Sequence, residues 1–468
     1  SAVVVLADRD KVEMEEAIRA EVGATGRTRV ICRRGDPMSL HDLALGSPDE
    51  ARSIILLAPE GDDDPDSTVI KTALALTNGP RRAGRPHHVV GELEHPDNLE
   101  VARLVGRDEV HWVLAGELIS RVTVQTCRQS GLSVVYTELL DFGGDEIYFT
   151  EQPTLVGASY GEAQRAFATS SVIGIVWGEE VAVNPPAGTV LGPDDRLIVI
   201  AADDSAIALA PPGTADESVI VAPQETERLP EHTLVLGCNG GLVPMLKELQ
   251  EYVAAGSTVR VVTEQTVPEL PLLAGLEVSV VAADPTGRAV LDALHVHEAD
   301  HVIVLASENV PAQRADARTL ITLLHLRDIA ERTGVDLNVV SEMLDDRNRE
   351  LAEVTNADDF IVSDKLVSLM LSQLSENRML AAVFATLFSS AGSEIYLRPV
   401  GSYLVEGAEV DFYTVLEAAS RAGETAIGYR IAADAHRADR AYGVHVNPPK
   451  GERRRFAPDD RLIVLAED

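Results

Sequence analysis

The chain has 468 residues, and its 75 acidic and 40 basic side chains give it a formal net charge of −35. This charge argues against nucleic acid and anionic membrane surfaces as partners, because both are bound through Lys and Arg. The length exceeds what one hydrophobic core fills, so we expect two to four domains. Three distant cysteines without a Cys-x-x-Cys motif indicate a reducing compartment. No run of 18 apolar residues is present, so no bilayer span is expected.

The first 115 residues alternate short apolar runs with helical patterns. The apolar runs lie at residues 3–6, 29–32, 53–58, 88–91 and 109–114. The helical patterns lie at residues 11–22, 67–76 and 98–104. Continuous apolar runs that alternate with helices predict a parallel sheet built from βαβ units.

A long helical stretch follows at residues 117–129, and a β-rich segment then continues to residue 208. Residues 209–231 are rich in Pro, Ala, Thr and Glu, which is typical of a linker. A second helical stretch, residues 365–387, is apolar on several sides. Such a helix is buried by more than one partner, so it either bridges domains or subunits or belongs to an ordinary core.

The second half of the chain repeats the first. The segment Pro-Asp-Asp-Arg-Leu-Ile-Val at residues 193–199 returns at residues 458–464. Glu-Ile-Tyr at residues 146–148 returns 248 residues later, at 394–396. Matches in one order at a nearly constant offset indicate duplication of a whole folding unit. We call residues 1–208 the first copy and residues 232–468 the second copy.

The second copy opens with a segment that has no equivalent in the first. Residues 232–237 read as a strand, residues 237–241 as a glycine turn and residues 242–252 as a helix, all before the strand at 259–263 that matches residues 3–7. The first sheet is therefore predicted to lack its first strand and glycine turn. A gap of this kind would expose unpaired backbone, so an upstream segment or another element is expected to fill it.

The predicted fold class is α/β, with two tandem Rossmann-like doubly wound parallel-sheet lobes. Each lobe is followed by a bridging helix and a small α+β C-terminal lobe. The predicted boundaries are a first Rossmann-like lobe at 1–115, a first bridging helix and C-terminal lobe at 116–208, a linker at 209–231, a second Rossmann-like lobe at 232–364, and a second bridging helix and C-terminal lobe at 365–468.

Acidic residues crowd the predicted carboxyl ends of the strands in the first copy, where open α/β sheets bind ligands. Glu92 and Glu94 are two apart and would share one face of an extended strand. Carboxylates that converge from neighbouring loops suit Ca²⁺, which takes six to eight oxygen ligands. Helix capping and solvated loop charge would explain the same pattern. The candidate metal ligands are Asp66, Glu92, Glu94, Asp8, Asp10, Asp62 and Asp63.

The glycine turn of the second copy is a candidate nucleotide site. It differs from the Gly-x-Gly-x-x-Gly pattern because Asn239 and Leu242 occupy the second and third glycine positions. Glu264 ends the next strand, where a ribose-binding acid would lie. A turn kept for its geometry alone is the alternative. The candidate residues for NAD or another nucleotide are Gly237, Asn239, Gly240, Gly241 and Glu264.

No catalytic constellation is apparent. The sequence contains no Gly-x-Ser-x-Gly elbow, no phosphate loop of the Walker type and no His-Glu-x-x-His motif. The histidine pairs at residues 87–88 and at 295 and 297 lack a zinc-type spacing with Cys or a carboxylate. We therefore do not predict an enzyme.

The duplicated lobes resemble tandem RCK domains, the regulators of K⁺ conductance, of a bacterial relative of the CASTOR and POLLUX cation channels. The resemblance covers essentially the whole chain. The segments that carry it are VLADRDKVEME at residues 5–15, RGDP at 34–37, PEGDD at 59–63 and the two Pro-Asp-Asp-Arg-Leu-Ile-Val segments.

The resemblance implies a ligand-sensing gating-ring module of a cation channel, with K⁺ as the expected ion. Four chains would form a ring of eight RCK domains at the cytoplasmic face of the membrane, beneath a pore domain that precedes residue 1. In related channels acidic strand ends bind Ca²⁺, and Asp66, Glu92 and Glu94 match one such site by position. A soluble nucleotide-binding regulatory subunit of an ion transporter is the alternative. An NAD-dependent oxidoreductase is a third functional class. The sequence argues against it, because this chain lacks both a complete glycine turn and a catalytic acid or base.

Overall fold

The computed structural model describes residues 2–59, 61–62, 64–78, 86–178, 180–222, 228–308, 310–353, 359–389 and 392–467. The chain forms two compact units. The first unit comprises Ser1–Leu118 and Met370–Ala381, and the second comprises Ile119–Leu369 and Ala382–Asp468. This division differs from the predicted domain boundaries. Part of the second bridging segment packs in the first unit, and the first C-terminal lobe packs with the second copy.

The first lobe contains parallel strands with helices between them. Its elements are β1 (Ala2–Ala7), α1 (Lys11–Val22), β2 (Arg29–Arg34), α2 (Leu40–Leu43), β3 (Ile54–Leu56), α3 (Pro65–Asn78), β4 (Val89–Leu93), α4 (Leu99–Gly106) and β5 (Val110–Leu114). Strands β1 and β2 form one sheet, and β3, β4 and β5 form another. Val3 on β1 is 50% exposed and Ile55 on β3 is 40% exposed, so apolar side chains on both sheets remain open to solvent.

The first connector, which consists of α5 (Ala115–Arg128) and α6 (Leu132–Leu140), and the first C-terminal lobe follow. The elements of the lobe are β6 (Glu146–Thr150), α7 (Tyr160–Arg165), β7 (Ser171–Trp177), β8 (Glu180–Val183) and β9 (Arg196–Ala201). The strands form an antiparallel sheet in the order β6-β9-β7-β8. Strand β7 has a bulge between Val172 and Gly174. A Cβ on Gly174 would lie 2.3 Å from the Ala182 carbonyl oxygen, so this close approach requires glycine.

The second Rossmann-like lobe has a complete sheet. Its elements are β10 (His232–Leu236), α8 (Leu242–Tyr252), β11 (Ser257–Thr263), β12 (Leu276–Ala282), α9 (Arg288–Ala293), β13 (His301–Val304), α10 (Ala312–Thr333), β14 (Val339–Met343), α11 (Arg349–Glu353) and β15 (Asp359–Val362). The six parallel strands run in the order β12-β11-β10-β13-β14-β15. Strand β10 is thus central, and the chain reverses its direction of winding between β10 and β13. The predicted α/β fold class with Rossmann-like parallel sheets is confirmed.

The strand order of the second lobe shows where the sheet of the first lobe is interrupted. Strands β1 and β2 correspond to β11 and β12, and β3, β4 and β5 correspond to β13, β14 and β15. The described part of the first lobe contains no strand that bonds both β1 and β3, which is the place that β10 fills in the second lobe.

The second connector, which consists of α12 (Ser363–Glu376) and α13 (Leu380–Leu387), and the second C-terminal lobe come next. The elements of the lobe are β16 (Glu394–Pro399), β17 (Glu409–Val410), α14 (Phe412–Arg421), β18 (Thr425–Arg430), β19 (Val444–Val446), β20 (Arg454–Arg455) and β21 (Arg461–Ala466). The main sheet has the order β16-β21-β18-β19, which repeats that of the first C-terminal lobe. Its bulge, between Ala426 and Gly428, lies at the equivalent position.

Each connector makes a turn that contacts a Rossmann-like sheet of the other copy. In the second unit, the turn after α5 reaches β15, where Asp359 accepts hydrogen bonds from the Gly131 backbone N–H at 2.6 Å and from the Ser133 hydroxyl. In the first unit, the turn after α12 reaches the first lobe, where Arg378 donates to the Asp108 carbonyl at 3.2 Å and Arg52 pairs with Glu376 at 2.6 Å. The two copies therefore exchange equivalent turns.

The two exchanged contacts use different side chains at equivalent positions. Asn338 before β14 donates to the Cys127 carbonyl at 2.6 Å, and its counterpart before β4 is His88. Asp359 on β15 has His111 on β5 as its counterpart, since each pairs in register with the second residue of the neighbouring strand. The positions that carry an amide and a carboxylate in the second lobe therefore carry two imidazoles in the first.

Candidate functional site

The acidic edge of the first lobe is organised around Asp66. This residue is fully buried in the first turn of α3. Its Oδ1 accepts from the Glu94 backbone N–H at 2.8 Å, and its Oδ2 accepts from the His95 N–H at 3.0 Å and from Asn98 Nδ2 at 2.8 Å. The carboxylate thus fixes the loop that follows β4.

The second copy contains the same arrangement. Asp316 in α10 is fully buried and accepts from the Leu344 N–H at 2.9 Å, the Asp345 N–H at 3.0 Å and Asn348 Nδ2 at 2.7 Å. An anchor present in both copies is a feature of the repeated fold. The sequence pattern predicted a helix cap at Asp66, but not the partners 28 to 32 residues further along the chain.

Glu92 lies near the end of β4 and Glu94 just beyond it, and the two side chains have different surroundings. Glu92 accepts from the Ala58 N–H at 3.0 Å, as its counterpart Glu342 accepts from the Ala306 N–H at 3.1 Å. Glu94 is exposed beyond the end of the strand. Partial burial raises the pKa of the Glu94 carboxyl, and the nearby negative charge of Asp66 raises it further. Two carboxylates therefore lie close enough to repel each other at this edge.

The other predicted ligands have separate local partners. Asp8 pairs with Arg34 at 3.3 Å, Asp10 caps α1 by accepting from the Val12 N–H at 2.9 Å, and Asp62 accepts from the Asp64 N–H at 3.2 Å. Asp63 lies outside the described residues. In the part of the chain that the structure describes, three ligand atoms within 4.8 Å of one another do not occur at this edge. The calcium site thus stays a prediction, centred on Glu94 and Asp66.

The glycine turn of the second lobe connects β10 to α8, as predicted. Gly237 has φ = +108°, and a Cβ there would lie 2.8 Å from the Leu305 carbonyl oxygen, so the position requires glycine. The Gly240 N–H donates to the Glu308 carboxylate, and the Gly241 N–H donates to Asn239 Oδ1 at 3.0 Å. The amides that would bind a phosphate in a dinucleotide site are therefore bound to side chains of the same chain.

A second carboxylate, that of the buried Glu342, hydrogen-bonds a side chain of the glycine turn. Asn239 Nδ2 donates to Glu342 Oε2 at 2.7 Å, and the Ser363 hydroxyl donates to Glu342 Oε1 at 2.9 Å. Burial raises the pKa of Glu342, and the charge of Glu308 adds to this. A phosphate at the turn would have to displace Glu308 and would meet negative charge. The geometry therefore disfavours the predicted nucleotide site.

Glu264, the predicted ribose ligand, directly follows β11 and lies 3.7 Å from Arg318. The same guanidinium pairs with Asp284 at 3.2 Å. Arg318 thus connects the ends of β11 and β12 through its two acidic partners. Sequence spacing placed Glu264 correctly but did not reveal this cation, which belongs to α10, more than 50 residues away.

Among the helices that the structure describes, none combines the length and the apolarity needed to cross a membrane. Comparison with known proteins supplies the context for the two copies. Residues 116–217 match the family described as "Castor and Pollux, part of voltage-gated ion channel". The probable ion channel CASTOR of Oryza sativa subsp. japonica is 32% identical over 99% of this chain.

The chain is related to the CASTOR and POLLUX ion channels. Ion channel CASTOR of Lotus japonicus is 31% identical, again over 99% of this chain. The chain spans 56% and 59% of these two CASTOR relatives, a little over half of their length. Both relatives are plant proteins, so the predicted bacterial origin stays a prediction.

The solved structure of the human SLO3 gating ring has the same fold as this CASTOR relative. Its TM-score is 0.68, with 99% of this chain and 94% of that chain covered at 13% identity. At that identity the likeness establishes the fold alone. The chain therefore shares its fold with a gating-ring structure, as expected from the resemblance to RCK domains.

Proposed function

We propose that the chain is the cytosolic, ligand-sensing module of a cation channel, with K⁺ as the expected permeant ion and no catalytic activity of its own. The observation that carries this proposal is the alignment of 99% of the chain with CASTOR channels. In the proposed assembly, four chains form a ring of eight RCK domains at the cytoplasmic face of the membrane. The pore domain belongs to sequence outside this chain.

Gating requires a ligand that binds one shape of the ring more tightly than another. The acidic edge of the first lobe suits such a ligand. Asp66 and Glu94 repel each other without a cation, and a divalent cation between them would remove that repulsion. We propose Ca²⁺ at this edge, with Glu94 and Asp66 as ligands and with Glu92 as a further carboxylate.

Calorimetric titration of the whole chain with Ca²⁺ tests the ligand. Glu94→Gln keeps the size of the side chain and removes its charge, and Glu94 is exposed, so this variant should fold normally. We expect the wild type to bind Ca²⁺ and the variant to bind it about tenfold more weakly, which corresponds to ~1.4 kcal/mol. Asp97→Asn is the matched control, because Asp97 is an exposed carboxylate on the same loop. Equal binding by wild type and Glu94→Gln would remove Ca²⁺ from this edge.

Ion flux tests the channel role independently of the ligand. The complete reading frame that contains this chain should carry a K⁺ flux after reconstitution into liposomes, and Ca²⁺ should change that flux. Flux that ignores Ca²⁺ would leave the channel role intact and reject the ligand. The absence of any cation flux from correctly folded protein would reject the channel role itself.

The alternative, a nucleotide-binding regulatory subunit of a transporter, needs a free phosphate site at the glycine turn. The contact of Glu308 with the Gly240 N–H is the observation against it. We therefore expect no saturable change in NADH fluorescence with the wild-type chain. Tight NADH binding that is lost in a Gly240→Asp variant would favour the alternative.

A further inference from the structure

Three side chains of types that can bind metals lie together on the second lobe, apart from the acidic edge and the glycine turn. The side chains of His295, His297 and Glu298 each place a ligand atom within 4.8 Å of those of the other two. The two imidazole rings are nearly perpendicular, at 81°, with their centroids 6.0 Å apart. In the described structure none of the three side chains makes a hydrogen bond or an ion pair with the protein. Their capacity to bind a ligand is therefore unused.

The backbone of this segment is held in place by the core. Val296, between the two histidines, is 1% exposed and packs in the core cluster of the second lobe. The Glu298 N–H donates to the His295 carbonyl at 2.9 Å, which closes a tight 3₁₀ turn just before β13. His295 has φ = +52°, and this left-handed residue turns the chain so that residues 295 and 297 face the same region.

The first copy has the same turn without the histidines. Ser47, the counterpart of His295, also has φ = +52°, and the following 3₁₀ turn is Pro48–Glu50. The positive φ therefore belongs to the repeated turn and is not itself a sign of a ligand. Asp49 stands where the second copy has His297. The imidazoles are specific to the second copy.

We propose that His295, His297 and Glu298 form a transition-metal site that takes Zn²⁺. Two imidazoles and one carboxylate are a ligand set that zinc accepts, with the fourth tetrahedral position open to water or to another molecule. Tetrahedral bonds of about 2.1 Å place ligand atoms ~3.4 Å apart, so small side-chain rotations close the present spacing. Imidazole ligands favour zinc, nickel and copper over Ca²⁺ and Mg²⁺. This site is therefore chemically distinct from the acidic edge of the first lobe.

Titration of the whole chain with Zn²⁺ followed by calorimetry tests the site, with Co²⁺ absorption as a report of tetrahedral geometry. We expect one equivalent of metal to bind. Losing even an outer-shell partner of a metal-bound His costs about 10- to 100-fold in affinity, so removing a ligand should cost at least that. His297→Gln and Glu298→Gln remove one ligand each, and His295→Asn removes another while keeping a residue that tolerates positive φ.

Two further variants separate the site from general effects. The double variant His295→Ser/His297→Asp restores the side chains of the first copy on the same turn and should abolish tetrahedral Co²⁺ absorption without changing the unfolding midpoint. His436→Gln removes an exposed histidine elsewhere and should leave Zn²⁺ affinity unchanged. Zn²⁺ affinity that is the same in the wild type and the double variant would overturn the proposal, as would the absence of Zn²⁺ binding to the wild type.

Discussion

Asn184 and Asn447 occupy equivalent positions in the two C-terminal lobes, and each makes three side-chain hydrogen bonds to the other lobe, of which two have matching partners. Asn184 Oδ1 accepts from the Thr425 hydroxyl at 2.7 Å, and Asn447 Oδ1 accepts from the Ser171 hydroxyl at 2.9 Å. Each Nδ2 donates to a backbone carbonyl just before the same strand, that of Gly423 at 3.2 Å or that of Thr169 at 3.0 Å. The pairing of the two lobes is therefore pseudo-symmetric.

Replacing Asn447 should weaken this pairing. The residue has φ = +49° and is 7% exposed, so Asn447→Ala loses three side-chain hydrogen bonds and places alanine in the left-handed region. We expect a loss of about 2–4 kcal/mol in the free energy of unfolding, measured by urea denaturation. Asn447→Gly keeps the backbone relaxed and should lose less. Equal stability of the wild type and both variants would show that the two lobes do not depend on this residue.

Lys450 should make the stability of the second unit depend on pH. This residue is fully buried and donates to the Ser170 carbonyl, and its counterpart in the first copy is Ala187. Burial lowers the pKa of Lys450 to about 7, and the Asp145 carboxyl opposes that shift. The folded pKa is thus below the ordinary value of 10.5, so the unfolded chain binds the proton more readily between pH 7 and 10.5. The stability contributed by this site therefore rises with pH across that window.

The comparison of Lys450→Met with wild type isolates this effect. The difference in the free energy of unfolding should change in favour of the wild type by up to about 1.4 kcal/mol per pH unit between pH 7.5 and 9.5. Lys247→Met, on an exposed face of α8, is the matched control and should show no such slope. A pH-independent difference for Lys450→Met would mean that the buried ammonium keeps its ordinary pKa.

The contact between the turn after α12 and the first lobe should weaken in mild acid. Burial lowers the pKa of both His88 and His111, and the charge of Arg378 lowers both further. The charged groups that face His88 are Arg378, Arg52 and Glu376. Because the folded pKa values lie below 6.5, protonation favours the detached state. The contact is at full strength above pH 6.5 and is lost progressively as the pH falls below it.

Hydrogen exchange of residues 370–381 at pH 7.5 and 5.5, corrected for intrinsic rates, measures this loss. Protection should fall at pH 5.5 in the wild type and fall less in His88→Asn, which introduces the residue that the second copy has at Asn338. Unchanged protection of residues 370–381 at both pH values would contradict the prediction.

The interrupted sheet of the first lobe should accept a strand between β1 and β3. The second copy contains a suitable strand, turn and helix in residues 231–256, which lead directly into β11. Placing a copy of this segment before residue 1 should protect the amides of β1 and β3 from exchange and raise the unfolding temperature. A scrambled segment of the same composition is the control. Equal protection with the native and scrambled segments would show that the first lobe is complete without a further strand.

Much of the fold could be predicted because the repeat relates most elements of one copy to an element of the other. The helix predicted at residues 242–252 has the same bounds in the structure, Leu242–Tyr252, because a glycine turn and an apolar periodicity define it locally. The exchange of turns between the copies was not predictable in this way. The contacts of Asp359 join residues 226 and 228 positions apart, and no local pattern encodes them.

At the candidate sites, too, local sequence patterns did not reveal contacts with residues distant in the chain. Sequence spacing correctly placed Glu94 and Gly240 at strand ends, but not what each of them faces. The Glu308 carboxylate on the Gly240 N–H comes from a loop 68 residues away. Whether a glycine turn is open or closed depends on such distant side chains, so the motif alone could not decide it.

The equivalent carboxylates of Asp66 and Asp316 help to show which residues changed after the duplication. A carboxylate that holds the same loop in both halves was already present in the single ancestral unit. Glu94 has Leu344 as its counterpart, and His295 has Ser47, so those positions diverged after the gene doubled. Divergence at these positions has left the two descendants with different ionisable side chains on the same scaffold.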